Sequence, residues 1–275
     1  MIRKKLIYQF VLLSIGLSWG IFGPICYFFI SNAKSDSAQS ILIGMMYIPT
    51  LVTIILTKYY NLGWKGFGLK FKSWQFLFYA IGIVMLYALV EMLIQTNLKT
   101  AAYNIPKEKY FMAIAFLAPV ASIGTSLFAF GEELGWRGFL QNLLIKEYGL
   151  TKGVLILGTI WGLWHMPVAL LGYNVPEYPL IEAFIWFPLF CISLSFIYAW
   201  LTLNGKSVWW AVLAHGANNG IASMIESKTI ILNKNYFYLI GLVVVIATGV
   251  VFYLLLLRKR NQLELYLPEK VGAMI

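Results

Sequence analysis

Most of the groups in this chain that could do chemistry lie in three short strings. They are Gly131-Glu-Glu-Leu-Gly-Trp-Arg137, Trp161-Gly-Leu-Trp-His165 and His215-Gly-Ala-Asn-Asn219, each set in strongly apolar sequence. Both histidines of the chain fall inside them. A charge near the centre of a bilayer costs at least about 2.5 kcal/mol, so such groups usually face a cavity and pair there. Glu132 and Glu133 are neighbours, so on a helix they point roughly 100° apart and cannot share one role. Arg137 follows Glu133 by four residues, the spacing that stacks two side chains on one face. Glu133–Arg137 is therefore the expected ion pair. Glu132 is left to face the cavity as a desolvated carboxylate suited to general-base work, although sequence alone leaves open which glutamate is the base.

The other two strings supply complementary groups. His165 follows Trp161 by one helical turn, so an aromatic ring flanks an imidazole able to orient water beside Glu132. His215 and Asn219 are also one turn apart and can aim donors at a common point. Imidazole and carboxamide N–H groups both suit a developing oxyanion. A water-activating base with donors for a tetrahedral intermediate is the set of parts that peptide hydrolysis requires.

These groups need a scaffold, and composition says which kind. The 275 residues are 60% hydrophobic and only 12% charged, against about 25% charged in a soluble domain. The chain reads as a single integral membrane domain, residues 1–275, all-α and polytopic, because lipid admits only helices and closed barrels. Apolar runs near the roughly 20 residues a span requires occur at Leu6–Ile30, Gln39–Thr57, Trp74–Ile94, Tyr110–Phe130, Thr151–Tyr173, Leu180–Leu203, Ser207–Ile225 and Tyr236–Leu257. The expectation is thus about eight transmembrane helices. The opening Met1-Ile-Arg-Lys-Lys5 with its long apolar run reads as a retained first helix rather than a cleaved leader.

Lysine and arginine set the orientation. Residues 3–5, 58, 65, 70, 72, 146, 152, 206, 258–260 and 270 gather on one side, and Lys34, Lys99, Lys107, Lys109, Lys228 and Lys234 on the other. The richer side is expected to be cytoplasmic, with both termini there and the cell membrane as the location. The formal charge of +10 then reflects anionic lipid headgroups, not nucleic acid, since the basic residues are scattered over short loops. Cys26 and Cys191 lie within spans without metal-type spacing and read as packing residues. The tail Asn261–Ile275 is short and mixed in charge.

Depth within the membrane follows from one turn. Glu147-Tyr-Gly-Leu-Thr-Lys152 has turn composition, with Gly149 suited to a helix C-cap. Glu133 lies 16 residues before Gly149 and His165 the same number after it. An antiparallel helix pair closing there would set both at the same level, roughly 24 Å along each axis at 1.5 Å per residue. His215 starts from the same side and could approach that level. A straight helix over Tyr110–Tyr148 would be about 58 Å long, so a break is expected at Pro119 or near Gly131 and Gly135.

The three strings together also resemble a known family. Glu-Glu-x-x-x-Arg, aromatic-x-x-x-His and His-x-x-x-Asn, in that order over about residues 111–225, look like the CPBP family of CAAX prenyl endopeptidases and bacteriocin-processing or immunity-type (Abi) membrane proteins. The resemblance implies an eight-helix intramembrane endopeptidase with a cytosol-facing catalytic cavity and a membrane-associated or lipidated peptide or protein as substrate. Carried across, Glu132 and His165 activate water, and His215 and Asn219 form the oxyanion pocket. Glu133 and Arg137 fill the remaining motif positions, and Trp161 stands where the family commonly has Phe. The family has been described both as zinc-dependent and as metal-independent. Zinc would call on Glu132, His165 and His215 and leave no separate base except Glu133, so no required cofactor is expected.

Two other readings compete. One keeps the fold without catalysis, as an immunity or scaffold protein; the other is a proton- or solute-coupled transporter, disfavoured because no paired, interrupted helices recur in matching halves. Several tempting residues are set aside: Glu91 as a cavity liner or paired core group, Glu182 as a snorkelling outer carboxylate, and Asn218 as less well aligned with His215 than Asn219. Trp136, Trp164, Trp209 and Trp210 read as packing or interfacial anchors.

Overall fold

The computed structural model describes residues 2–31, 43–172, 174–175, 177–263 and 265. The first residues of the expected span Gln39–Thr57, the last of Thr151–Tyr173, most of the tail Asn261–Ile275, and Lys34 and Lys270 lie outside them. The principal helices are α1 (Ile2–Leu17), α2 (Gly23–Ser31), α3 (Ile48–Tyr59), α4 (Phe76–Asn97), α5 (Tyr110–Glu133), α6 (Gln141–Tyr148), α7 (Leu150–Trp164), α8 (Phe187–Gly205), α9 (Trp209–Glu226) and α10 (Lys234–Lys259). Among the described residues the only strands are Ala101–Tyr103 and Thr229–Ile231, paired antiparallel with Ala102 opposite Ile230.

An all-α membrane protein is what these elements build. Exposed apolar side chains coat the outside, and on α5 they form a helical stripe: Phe116, Val120, Ile123 and Leu127 are each about 70% exposed. Such a stripe would be a liability in water and is ordinary against lipid. The number of spans departs from eight. Among the described residues four stretches are long and apolar enough to cross a membrane, Ile2–Phe28, Phe76–Asn97, Pro179–Gly205 and Lys234–Gln262, and a fifth if the bent pair Lys107–Phe116 and Pro119–Tyr148 counts as one. Ile43–Tyr59 and Leu150–Trp164 are apolar but shorter. Helix α9 carries His215, Asn218 and Asn219 in its middle. The helices that fall short pack one face inward and keep a narrower exposed one, as Leu51 and Ile55 do on α3 and Leu155 on α7.

The loops sort to two ends as the charge pattern grouped them. At one end Arg3 Nε lies 3.3 Å from Glu147, Val208 N donates to Gly68 O at 2.9 Å, and Leu263 and Leu265 pack on the cluster of Ile145 and Val154. At the other end are the strand pair and the contacts of Glu177 with Lys234. The start of α1 and the end of α10 therefore share one end.

The long Tyr110–Tyr148 segment breaks twice. It bends by 50° between Phe116 and Pro119, where proline removes a backbone donor and its ring crowds the preceding turn. It then widens into a π-helical stretch, Leu134–Leu140, directly after Glu133. The expected turn follows: Gly149 caps α6 at φ 81°, ψ 166°, a conformation essentially restricted to glycine, and α7 runs back antiparallel.

Candidate active site

Each string sits on a helix held against a neighbour by a glycine pair one turn apart. A Cβ on Gly131 would come 2.8 Å from Met46 O, and one on Gly135 2.5 Å from Pro49. On α7, Gly158 and Gly162 would meet Ile192 and Pro188 of α8 at 2.5 Å. On α9, Gly216 and Gly220 lie against Ser122 and Ala121 of α5, where Thr125 Oγ1 donates to Gly216 O at 2.5 Å. Between helices in lipid, close backbone approach of this kind replaces the missing hydrophobic drive.

These seams bring the three strings together around Trp161. Its indole Nε1 donates to Glu132 Oε2 at 2.7 Å, and its carbonyl accepts from His165 Nδ1 at 2.9 Å. The His215 ring meets it edge-on, with centroids 5.4 Å apart. The Arg137 guanidinium lies 4.1 Å from the Trp161 ring centre and 4.8 Å from that of Tyr198.

The two carboxylates have separate surroundings. Glu133 Oε1 accepts from Arg137 Nη1 and from His215 Nδ1, both at 2.8 Å. Arg137 Nη2 continues to Ser195 Oγ at 3.1 Å. The expected ion pair is thus present and fully buried, extended to His215 in a way that spacing could not show. Glu132 is buried too, at 1% exposure, yet among the described residues its carboxylate makes one hydrogen bond, from Trp161.

Tautomers follow from partners. A carbonyl can only accept, so His165 Nδ1 carries a proton and Nε2 presents a lone pair. The imidazole is half-buried between Phe187 and Trp164, with centroids 4.5 and 4.6 Å away. His215 Nδ1 likewise donates to Glu133, so its Nε2 offers a proton only when the ring is an imidazolium. Asn219 stands one turn beyond His215 and is half-buried; its Oδ1 accepts from Asn218 Nδ2 at 3.3 Å. No contact of Asn219 with Glu132 or His165 occurs among the described residues, so the fourth group joins the cluster through its helix rather than by touching it.

Zinc would need Glu132, His165 and His215 as ligands. Among the described residues no three His, Cys, Asp or Glu side chains stand together so as to hold an ion, and one His215 nitrogen is committed to Glu133. As folded, this donor set does not fit the metal.

Several participants carried no sequence signal. Ser195 and Tyr198 on α8 complete the surroundings of Arg137, and nothing in their spacing marks them. Trp161 was read as a wall and proves to be a donor as well. Glu182 corrects the snorkelling expectation: it is fully buried and accepts from Asn174 N at 3.0 Å, Asn174 Nδ2 at 2.8 Å and Val175 N at 2.7 Å, clamping the turn before it. Glu91 finds Gln95, whose Nε2 donates to it at 2.8 Å. Cys26 and Cys191 are buried and free, and Trp136, Trp164 and Trp210 are core residues.

Comparison with known proteins finds a likeness over the middle of the chain. Residues 110–221 match the model of the Type II CAAX prenyl endopeptidase Rce1-like family. The match covers less than half of the chain. The match spans α5 through most of α9 and so contains all three strings. A curated relative, CAAX prenyl protease 2 of Methanococcus maripaludis, is 36% identical over 89 residues, which is 30% of this chain and 32% of the relative. The chain thus spans about a third of the length of the curated relative it matches. Helices α1–α4 and α10 lie outside the matched segment.

Proposed function

We propose that this chain is an intramembrane endopeptidase that cleaves membrane-associated, prenylated CAAX-type peptide or protein tails from the cytosolic side. The observation that carries the reading is Trp161 holding one oxygen of Glu132 while its carbonyl turns His165 Nε2 outward. The free oxygen of Glu132 and the free nitrogen of His165 can then bind one water between them. Glu132 takes a proton from that water as its oxygen attacks the scissile carbonyl, and later gives the proton to the departing amine. The negative oxygen of the tetrahedral intermediate is met by Asn219 Nδ2 and by Nε2 of an imidazolium His215, whose Nδ1 faces the Glu133 carboxylate. Every step uses side chains of this chain and water, with no metal. The basic end, which holds Arg3, Lys4 and the Glu147 turn, is assigned to the cytosol by the positive-inside preference, and its lysines and arginines suit anionic lipid headgroups. The family description and the printed name of the archaeal relative support a prenylated CAAX-type substrate.

The test is proteolysis of a farnesylated CAAX peptide by the full chain in liposomes, read by mass of the released residues. Wild-type protein is expected to cleave with or without a chelator, while Glu132→Gln and His165→Ala stop turnover without loss of folded protein. Turnover by both variants at the wild-type rate would end the enzymatic reading and favour a scaffold or immunity protein. Loss of wild-type activity on chelation would end the metal-free part alone.

A further inference from the structure

Helix α4 lies outside the family match, yet it sends one polar group toward the third string. Tyr87 is 8% exposed and its hydroxyl donates to Asn218 Oδ1. Asn218 Nδ2 in turn donates to Asn219 Oδ1 at 3.3 Å. Among the described residues Tyr87 makes no other hydrogen bond; its hydroxyl could also accept from a reversed Asn218, but that would strand the buried phenolic proton, so the donating direction is favoured. A carboxamide is close to symmetric in shape, and which end faces a ligand is decided by its hydrogen-bond partners. With Asn218 set by Tyr87, Asn219 must turn Oδ1 toward Asn218, which leaves Nδ2 as the end presented to the cavity. Were Asn218 reversed, its Oδ1 would draw Asn219 Nδ2, and Asn219 would present a carbonyl oxygen where negative charge develops. Reversal would convert an attractive contact into a repulsive one.

We infer that Tyr87 is a positioning residue which, through Asn218, fixes the amide of Asn219 as a donor to the reaction oxyanion. The inference rests on the oxyanion role proposed for Asn219 and adds a residue that the three strings do not contain. Tyr87 does not touch the reacting atoms; it acts by favouring the amide orientation in which its own proton has an acceptor. Asn218 is thereby given a role of its own, as the link between two helices, rather than as a substitute for Asn219.

The test compares Tyr87→Phe, Asn218→Ala, Asn219→Ala and the double variant Tyr87→Phe/Asn219→Ala as full chains in liposomes with a farnesylated CAAX peptide. Asn219→Ala is expected to lower kcat about 10²- to 10³-fold, as loss of an oxyanion donor does. Tyr87→Phe and Asn218→Ala should each lower kcat by roughly tenfold or more with KM and thermal midpoint little changed. In the double variant the loss should equal that of Asn219→Ala alone, because a misdirected amide no longer exists to be corrected. Wild-type kcat in Tyr87→Phe, or losses that multiply in the double variant, would overturn the relay while leaving the oxyanion reading intact. An Asn219→Ala enzyme with undiminished kcat would overturn the oxyanion reading and the relay with it. Should Tyr87→Phe fail to fold, Asn218→Ala cuts the same chain of bonds one step later.

Discussion

Two carboxylates one residue apart occupy opposite kinds of surroundings. Glu133 is ion-paired: one oxygen receives both the Arg137 guanidinium and the His215 imidazole, and two aromatic faces cover the cation, while Glu133 Oε2 and Arg137 Nε are buried without a hydrogen bond among the described residues. Glu132 sits as deep but holds a single hydrogen bond, from Trp161. A buried carboxylate held by a cation is a fixture, since opening the pair leaves uncompensated charge in a low-dielectric interior. Glu132 has no ion pair among the described residues, so its lone pairs remain open to an incoming proton. The difference teaches that burial alone does not mark a reacting group. What separates the proposed base from its neighbour is the lack of a cation on its carboxylate.

That contrast can be attacked directly. Glu132→Gln should reduce turnover by about a thousandfold, within the range of general-base removal, while melting almost unchanged, because the carboxamide oxygen still accepts from Trp161. Glu133→Ala should do the reverse in emphasis: thermal or denaturant unfolding in detergent should show a loss of about 3–5 kcal/mol from stranding Arg137. If the two substitutions cost stability equally, the distinction between fixture and reagent fails. Trp161→Phe sharpens it, since the ring is kept and the indole donor removed. We expect roughly a tenfold fall in kcat, about 1.4 kcal/mol of barrier, with the Arg137 stacking weakened only slightly.

The smallest effect lies far from both carboxylates, at Glu177 on the other end. Its carboxyl is held below the ordinary carboxylate range, chiefly by the hydrogen bond from Lys234, but the pair is exposed. A depressed carboxyl stabilises the fold above its unfolded value and loses that contribution as pH falls through the folded one. Glu177→Gln should leave turnover unchanged, with any shift in melting seen near neutrality and gone in acid.

Much of the site was legible because polar residues are costly inside apolar sequence. The turn at Gly149 and the i,i+4 relation of Glu133 to Arg137 are local properties, and the structure shows both. What stayed hidden was long-range or local in an unusual way. His215 reaches Glu133 across 82 positions, and no periodicity encodes that contact. The π-helical stretch after Glu133 leaves no composition signature, so the break could be expected but not placed. The number of spans was overread for a related reason. Apolar runs such as Leu150–Trp164 look lipid-facing all round in one dimension, whereas in three they bury the face of Val154, Leu157 and Trp161 against other helices.

The glycine pairs at 131/135, 158/162 and 216/220 carry a consequence for how such a protein can diverge. They fasten the reacting groups to an inner scaffold through backbone-to-backbone seams that no methyl group can enter. The outer helices α1, α4 and α10 show lipid long apolar faces made of interchangeable side chains. Bilayers of different thickness press on that outer coat first. A lineage could therefore re-tailor its surface for a new membrane while the chemistry inside keeps its original dimensions.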